Sequence, residues 1–208
     1  AATRGNGTVG ENVTANVRTI DSIPLCLEQP VDIIVEGEIW LGRTEFEKLN
    51  KEQAKAGKPL YANPRNVAAG TIRQLDPKIV AARRLESFAY DMATNTYLVT
   101  RSLSKSKLLS DRVTKWLETQ EEELKLLQKL GFRVNKHFRL CRTIDDVIVY
   151  WQEWQKKKEK EPYWIDGVVV KVNEREYQER LGYTGKAPRF GIAFKFAADQ
   201  VTTVLEEI

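Results

Sequence analysis

With 208 residues, 42% hydrophobic and 30% charged, the chain is long enough to bury a core and too apolar for a disordered segment. Its 33 basic residues against 29 acidic ones give a net charge of +4, which suits a polyanionic partner without requiring one. Cys26, Cys141 and the single His137 lack metal-ligand spacing, and no apolar run approaches the roughly 20 residues of a membrane span. These features exclude a structural zinc and a spanning helix, and they point to a reducing, cytoplasmic setting.

The chain opens on Ala1-Ala2-Thr3-Arg4-Gly5-Asn6-Gly7, which reads as the middle of a hairpin or loop, so a fragment is expected. Its glycines could admit a ligand close to the backbone, and they equally mark an ordinary tight turn. From Val31 to Leu41 the residues alternate as in a strand. Ile33, Val35, Ile39 and Leu41 fall on one face, and Glu36, Glu38 and Trp40 on the other. Thr44 and Glu47 have the spacing of a capping box and predict a short helix ending at Gly57. Asn63-Pro64 predicts another, running to about Leu75 before Pro77, with Arg65, Asn66, Ala69 and Arg73 broadly on one side.

Between about Leu98 and Lys160 the chain is rich in Lys, Glu and Leu without strand alternation, and helices are expected. Thr119 with Glu122 opens one whose Leu124, Leu127 and Leu130 form a stripe and which Gly131 ends. Thr143 with Asp146 opens the next, where Val147, Tyr150, Trp151 and Trp154 are read as core at helical spacing. The run from Lys156 to Glu161 is read as a solvated helix end. Strands return at Ile165 to Val172 and at Phe190 to Phe196, joined by a basic connection. In the last strand Phe190, Ile192, Phe194 and Phe196 face one way, and Gly191, Ala193, Lys195 and Ala197 the other. The fold class is α+β, with mainly antiparallel sheets and a helical portion near 98–160.

Lysines inside strands carry the most chemical information, because an ammonium is costly to bury unless something anionic meets it. Taken singly, Lys171 and Lys195 read as edge or snorkelling residues. Together, beside Glu38 and a helix bearing Arg65 and Arg73, they suggest a site for phosphate and ribose. Arg4, Arg65 and Arg73 offer forked donors suited to phosphate oxygens. Asp166 and Lys171 have opposite parity, and should point to opposite faces unless Asp166 precedes the paired strand or Gly167 bulges.

Five segments resemble the NAD-dependent DNA ligase family, in order and across essentially the whole chain. They are Ala2–Gly7 with Gly10–Thr14, Val35-Glu36-Gly37-Glu38, Tyr61–Asn66 through Gly70–Pro77, Asp166–Asn173, and Ala187–Phe196. The Asn63-Pro64-Arg65-Asn66 segment is the most specific, and disfavours an ATP-dependent or RNA ligase relative. The resemblance implies a nucleotidyltransferase core around a nucleotide cleft, of the ATP-grasp-like ligase type. It implies NAD as the adenylate source, Mg2+ (Mn2+ as an alternative) as the metal, and nicked double-stranded DNA as the partner, in a monomeric, cytoplasmic, nucleoid-associated bacterial enzyme.

By the same resemblance Arg4 and Glu38 would contact ribose, Tyr90 would stack on adenine, and Lys171 and Lys195 would approach the adenylate phosphate. Arg65 and Arg73 would serve the DNA 5'-phosphate or the transferred phosphate, and Asp166 with Glu38 would hold the metal. The family's nucleophile is the lysine of a Lys-x-Asp-Gly motif, which occurs nowhere in these 208 residues. It is expected just upstream of Ala1, beyond it a small domain gripping nicotinamide mononucleotide, and an OB-fold after Val201–Ile208. The polypeptide alone should therefore not adenylate itself. Asn6 replaces an aspartate common in the family, and Asp91 stands where a glycine usually follows the tyrosine. The competing reading is a degenerate nucleotide- or DNA-binding module without catalysis, against which the retained charges argue.

Overall fold

The computed structural model describes residues 1–29, 31–94, 117–184 and 187–197. The helical expectation for 98–116, and the lead towards a further domain at Val201–Ile208, lie outside the described residues. The elements in order are α1 (Thr14–Val17), β1 (Ile33–Trp40), α2 (Arg43–Lys55), α3 (Pro64–Thr71), α4 (Pro77–Ala82), β2 (Glu86–Thr94), α5 (Gln120–Lys129), α6 (Ile144–Lys157), β3 (Gly167–Lys171), α7 (Arg175–Leu181), β4 (Tyr183–Thr184), β5 (Ala187–Pro188) and β6 (Gly191–Lys195). Among the described residues three two-stranded antiparallel sheets form, β1 with β2, β3 with β6, and β4 with β5, so the chain is α+β.

The β1–β2 pair carries the expected alternation, but only because β2 changes phase. Glu36 pairs with Asp91 while Gly37 pairs with Ala89, leaving Tyr90 as an extra residue. Ser87 and Ala89 are buried before this bulge and Met92 after it. The single-residue insertion keeps an apolar side towards the core on both sides of the break and bends the strand where Tyr90 projects. Behind the sheet, Ala89 and Met92 pack with Leu127 of α5 and with Val134. Leu127 is 0% exposed and Leu130 2%, so the leucine stripe is core.

Both capping boxes in the helical portion form. Thr119 Oγ1 accepts from Glu122 N and Thr143 Oγ1 from Asp146 N, and each acid side chain returns to the cap backbone. The tryptophans of α6 are packing residues. Trp154 is 7% exposed and lies edge-on to His137, and Trp151 stacks on Phe194 at 4.7 Å.

Two expectations need correction. Thr44 is not a cap, since α2 begins one residue earlier from extended Gly42 without a side-chain cap bond. Asn63 does cap α3, but that helix stops at Thr71 instead of about Leu75. The reason is tertiary: buried Asn16 donates to the carbonyls of Ile72 and Gln74, and Arg83 donates to Thr71 Oγ1 at 2.6 Å. Arg73 therefore sits past the helix, and Asp76-Pro77 starts a separate one. Phe190 and Phe196, which flank β6, are buried, whereas Ile192 within it is 68% exposed because Trp151 covers only the Phe194–Phe196 end.

Candidate active site

The opening loop is held as a turn. Gly7 N donates to Arg4 O, Asn6 Oδ1 accepts from Thr8 N and Val9 N, and Gly5 and Gly7 have φ of +53° and +97°. A Cβ at Gly5 would lie 1.8 Å from Val9 O, so the glycine is needed for the turn itself. The loop returns along Thr3–Glu11 hydrogen bonds, and Glu11 pairs with Arg73 at 3.7 Å.

Exposed Glu36 and Glu38 lie on the outer side of β1, close to the Tyr90 bulge. Burial first, then the charges of Glu36, Glu38 and Asp91, push the Tyr90 phenol above its usual value, and the Arg4 guanidinium opposes them. The loop, β1 and β2 thus bring Arg4, Glu38 and Tyr90 into one electrostatic neighbourhood. Arg65 of α3 reaches Glu38 at 3.9 Å across open solvent. Gly37 lets the two strands meet, since a Cβ there would be 2.6 Å from Phe88 O.

Lys171 ends β3 beside this cluster. Its Nζ donates to Asp91 Oδ2 at 3.0 Å, to Tyr90 O at 3.3 Å and to Gln120 Oε1 at 3.4 Å, and it lies 5.4 Å from the Tyr90 ring centre. Beneath, Glu123 of α5 is 2% exposed and accepts from Met92 N at 2.6 Å. Arg175 lies 3.4 Å from it without hydrogen-bond geometry. Burial above all, then the Asp91 carboxylate, push the Glu123 carboxyl up to about 7.

Paired residues of an antiparallel ladder point to one side, so the β3–β6 register puts Lys171, Val169, Lys195 and Ala193 on a single face. Val169 is 70% exposed there. Lys195 pairs with Asp166 at 3.3 Å, both side chains being largely open. Asp166 stands one residue before β3, which resolves the parity conflict: it faces Lys195 from the strand's entrance and leaves the Lys171 end to Asp91. Gly167 is required for close pairing, because a Cβ would lie 2.5 Å from Phe194 O.

The family model for the NAD-dependent DNA ligase adenylation domain matches residues 1–199. The chain belongs to this family. It is 50% identical to a DNA ligase of Thermotoga maritima over 202 residues, covering 97% of this chain and 27% of that protein. It is 48% identical to a DNA ligase of Thermotoga neapolitana over 207 residues, covering 100% and 27%, and 45% identical to one of Shouchella clausii over 207 residues, covering 100% and 28%. The chain thus spans about a quarter of the length of the curated relatives it matches.

Of the residues singled out in this ligase adenylation domain, Arg4, Glu38, Tyr90 and Lys171 share one neighbourhood, and Arg65 touches it through Glu38. Lys195 and Asp166 form a second group on the face that carries Lys171. Arg73 joins the surface through Glu11 beside the Arg4 loop. Sequence reasoning named Glu36 and Asp91 without a site role and passed over Gln120 and Glu123. Glu123 had a visible signal, since it precedes Leu127 by four and Leu130 by seven residues and so falls on the apolar stripe. Among the described residues no helix is long and apolar enough to cross a membrane.

Proposed function

We propose that this chain is the nucleotidyltransferase core of an NAD-dependent DNA ligase that seals nicks in duplex DNA through lysyl-AMP and DNA-adenylate intermediates. The observation that carries the reading is the convergence of unlike groups on one surface: the Tyr90 ring, the Glu38 carboxylate, the Arg4 guanidinium and the Lys171 ammonium. A flat ring offers a face to adenine, a carboxylate accepts from ribose hydroxyls, and cations spread over phosphate oxygens stabilise charge during transfer.

In the first step the ε-amine of a Lys-x-Asp-Gly lysine attacks the adenylate phosphorus of NAD. A P–N bond forms and the P–O bond to nicotinamide mononucleotide breaks. That lysine belongs to the full-length protein, as none of these 208 residues supplies it. Lys171 and Lys195 hold the phosphate and, as neighbouring cations, favour the neutral amine of the nucleophile. A 5'-phosphate oxygen of the nick next attacks the same phosphorus and releases the lysine. Arg65 and Arg73, exposed on the α3 side, bind that incoming phosphate. The 3'-hydroxyl finally displaces AMP.

Glu38 and Asp166 would supply hard oxygen donors of the kind Mg2+ accepts, and both side chains are open enough that a metal there would keep waters. Among the described residues no three acidic, histidine or cysteine side chains are placed to hold a metal ion, so Mg2+ would need Glu38 or Asp166 together with substrate phosphate and water. Bound there, it would withdraw charge from the phosphate oxygens.

Intact mass of the full-length protein tests the reading. A gain of AMP from NAD and none from ATP is expected, and failure with both in a folded protein would favour a degenerate binding module. Lys195→Ala and Glu38→Ala should each remove nick sealing while leaving the fold intact. Near-normal sealing in either would overturn the assignment of these roles.

A further inference from the structure

Glycine is the least favourable residue for a helix interior after proline, so an exposed helical glycine calls for a reason. Five of the described glycines take a positive φ, and the others apart from Gly70, such as Gly37 and Gly167, have an atom within 4 Å of where a Cβ would lie. Gly70, the penultimate residue of α3, has neither reason: its φ is ordinary and a Cβ there would meet nothing within 4 Å. Nor does it loosen the chain. Ile72 N donates to Ala68 O, Gln74 Nε2 donates to Gly70 O, and the neighbours Ala68 and Thr71 are buried. What the missing side chain clears is space on the surface. We propose that Gly70 is the point at which the sugar–phosphate backbone of the nicked duplex approaches α3 most closely, seated between Arg65 and Arg73. The inference rests on the reading of these two arginines as ligands of the nick's phosphate, and adds where on α3 the strand lies.

The surface around Gly70 suits a polyanion. α3 buries Val67, Ala68 and Thr71 and turns Arg65, Asn66 and Gly70 outward, with Arg73 exposed just past its end. Residues 63–84 hold Arg65, Arg73, Lys78, Arg83 and Arg84 against Asp76 alone, and the Asp76 carboxylate is committed to Lys78 N at the start of α4. That excess of cations is the kind of footprint a phosphate backbone requires. Arg65 stands 3.9 Å from Glu38 and Arg73 3.7 Å from Glu11, both beyond hydrogen-bond distance, so their forked donors are available to phosphate oxygens. The corner after α3 is fixed in advance, since buried Asn16 donates to the carbonyls of Ile72 and Gln74. A strand laid here meets a surface that needs no ordering. Contacts of this kind set the register of a duplex without reading its sequence.

The test uses the full-length protein and a graded pair, Gly70→Ala and Gly70→Leu. Alanine favours the helix and meets nothing within 4 Å, so Gly70→Ala should raise the midpoint of urea unfolding. Gain of AMP from NAD, read by intact mass without DNA, should be unchanged in both. Affinity for a nicked duplex carrying a 5'-phosphate should nevertheless fall, roughly threefold for alanine and more than about tenfold for leucine, whatever the sequence flanking the nick. Full affinity in the leucine variant overturns the proposal. Destabilisation or lost AMP gain in the alanine variant also overturns it, since either would mean that another part of the protein occupies the space. Arg65→Ala and Arg73→Ala test the underlying reading. If neither weakens the nicked duplex, α3 is not the face that DNA meets; if both weaken it while the glycine pair does not, the placement at Gly70 alone fails.

Discussion

Two lysines on one sheet face live in different worlds. Lys171 is about four-fifths enclosed, its donors consumed by Asp91, Gln120 and a carbonyl, and the acid behind it is buried against the Leu127 core. Lys195, four residues along β6 from Gly191, the partner of Lys171, meets Asp166 in open water. The same charge type is thus enclosed and fully partnered at one end and loosely paired in open water at the other. Burial decides how much each pair matters to the fold, since an exposed ion pair is screened and a buried one leaves an uncompensated charge when broken.

The largest way to break this contrast is to undo the floor under Lys171. Leu127→Ala should cost about 2–5 kcal/mol in urea unfolding, because the side chain is fully enclosed between α5 and β2 and its loss leaves a cavity. A cost below about 1 kcal/mol would show that the floor is loosely packed. Next comes Glu123. Its folded value lies above the ordinary carboxylate value, so the folded state holds the proton more tightly than the unfolded chain does. The associated stability is fully present below about 4.5, is lost as pH rises towards and through about 7, and amounts to at most about 3 kcal/mol. Glu123→Gln should remove this slope, so the variant gains on wild type between pH 5 and pH 8. An unfolding difference that stays constant with pH would refute the assignment.

A third change separates the two helices of the same portion. Thr119→Ala and Thr143→Ala each remove one capping box and should each cost about 1 kcal/mol. Only the first disturbs the turn that presents Gln120 and Glu123, so only Thr119→Ala should also alter AMP binding.

Local signals were legible at most helix ends, although the Thr44–Glu47 spacing misled. Thr119, Thr143 and Asn63 cap as their spacing predicts, and Gly131, at φ +92°, stops its helix. Of the motif residues, Arg4, Glu38, Tyr90 and Lys171 lie in one neighbourhood, and Lys195 with Asp166 in another. What escaped was decided across long sequence separations. Asn16 ends α3 from more than fifty residues away, and no helical pattern in Arg65–Arg73 could announce it. The Tyr90 bulge shows only as a phase change once Met92 is known to be buried. Asp91 looked like a departure from a pattern, and its meaning comes from Glu123 and Lys171, which lie on two other elements.

The smallest expected effect is the sharpest control on the whole comparison. The Asp166–Lys195 pair is 80% and 67% exposed at its side chains, against 28% and 18% for Asp91–Lys171. Asp166→Asn removes one charge of the open pair and keeps its shape, so unfolding in urea should shift by less than about 0.5 kcal/mol. Raising the salt should leave even that difference smaller, because water and ions already separate the partners. On the role proposed for Asp166, sealing of nicks by the full-length protein should nevertheless fall. A destabilisation above about 1 kcal/mol would mean that the entrance to β3 depends on Asp166 structurally, and that the two ends of this sheet face differ less than their exposure suggests.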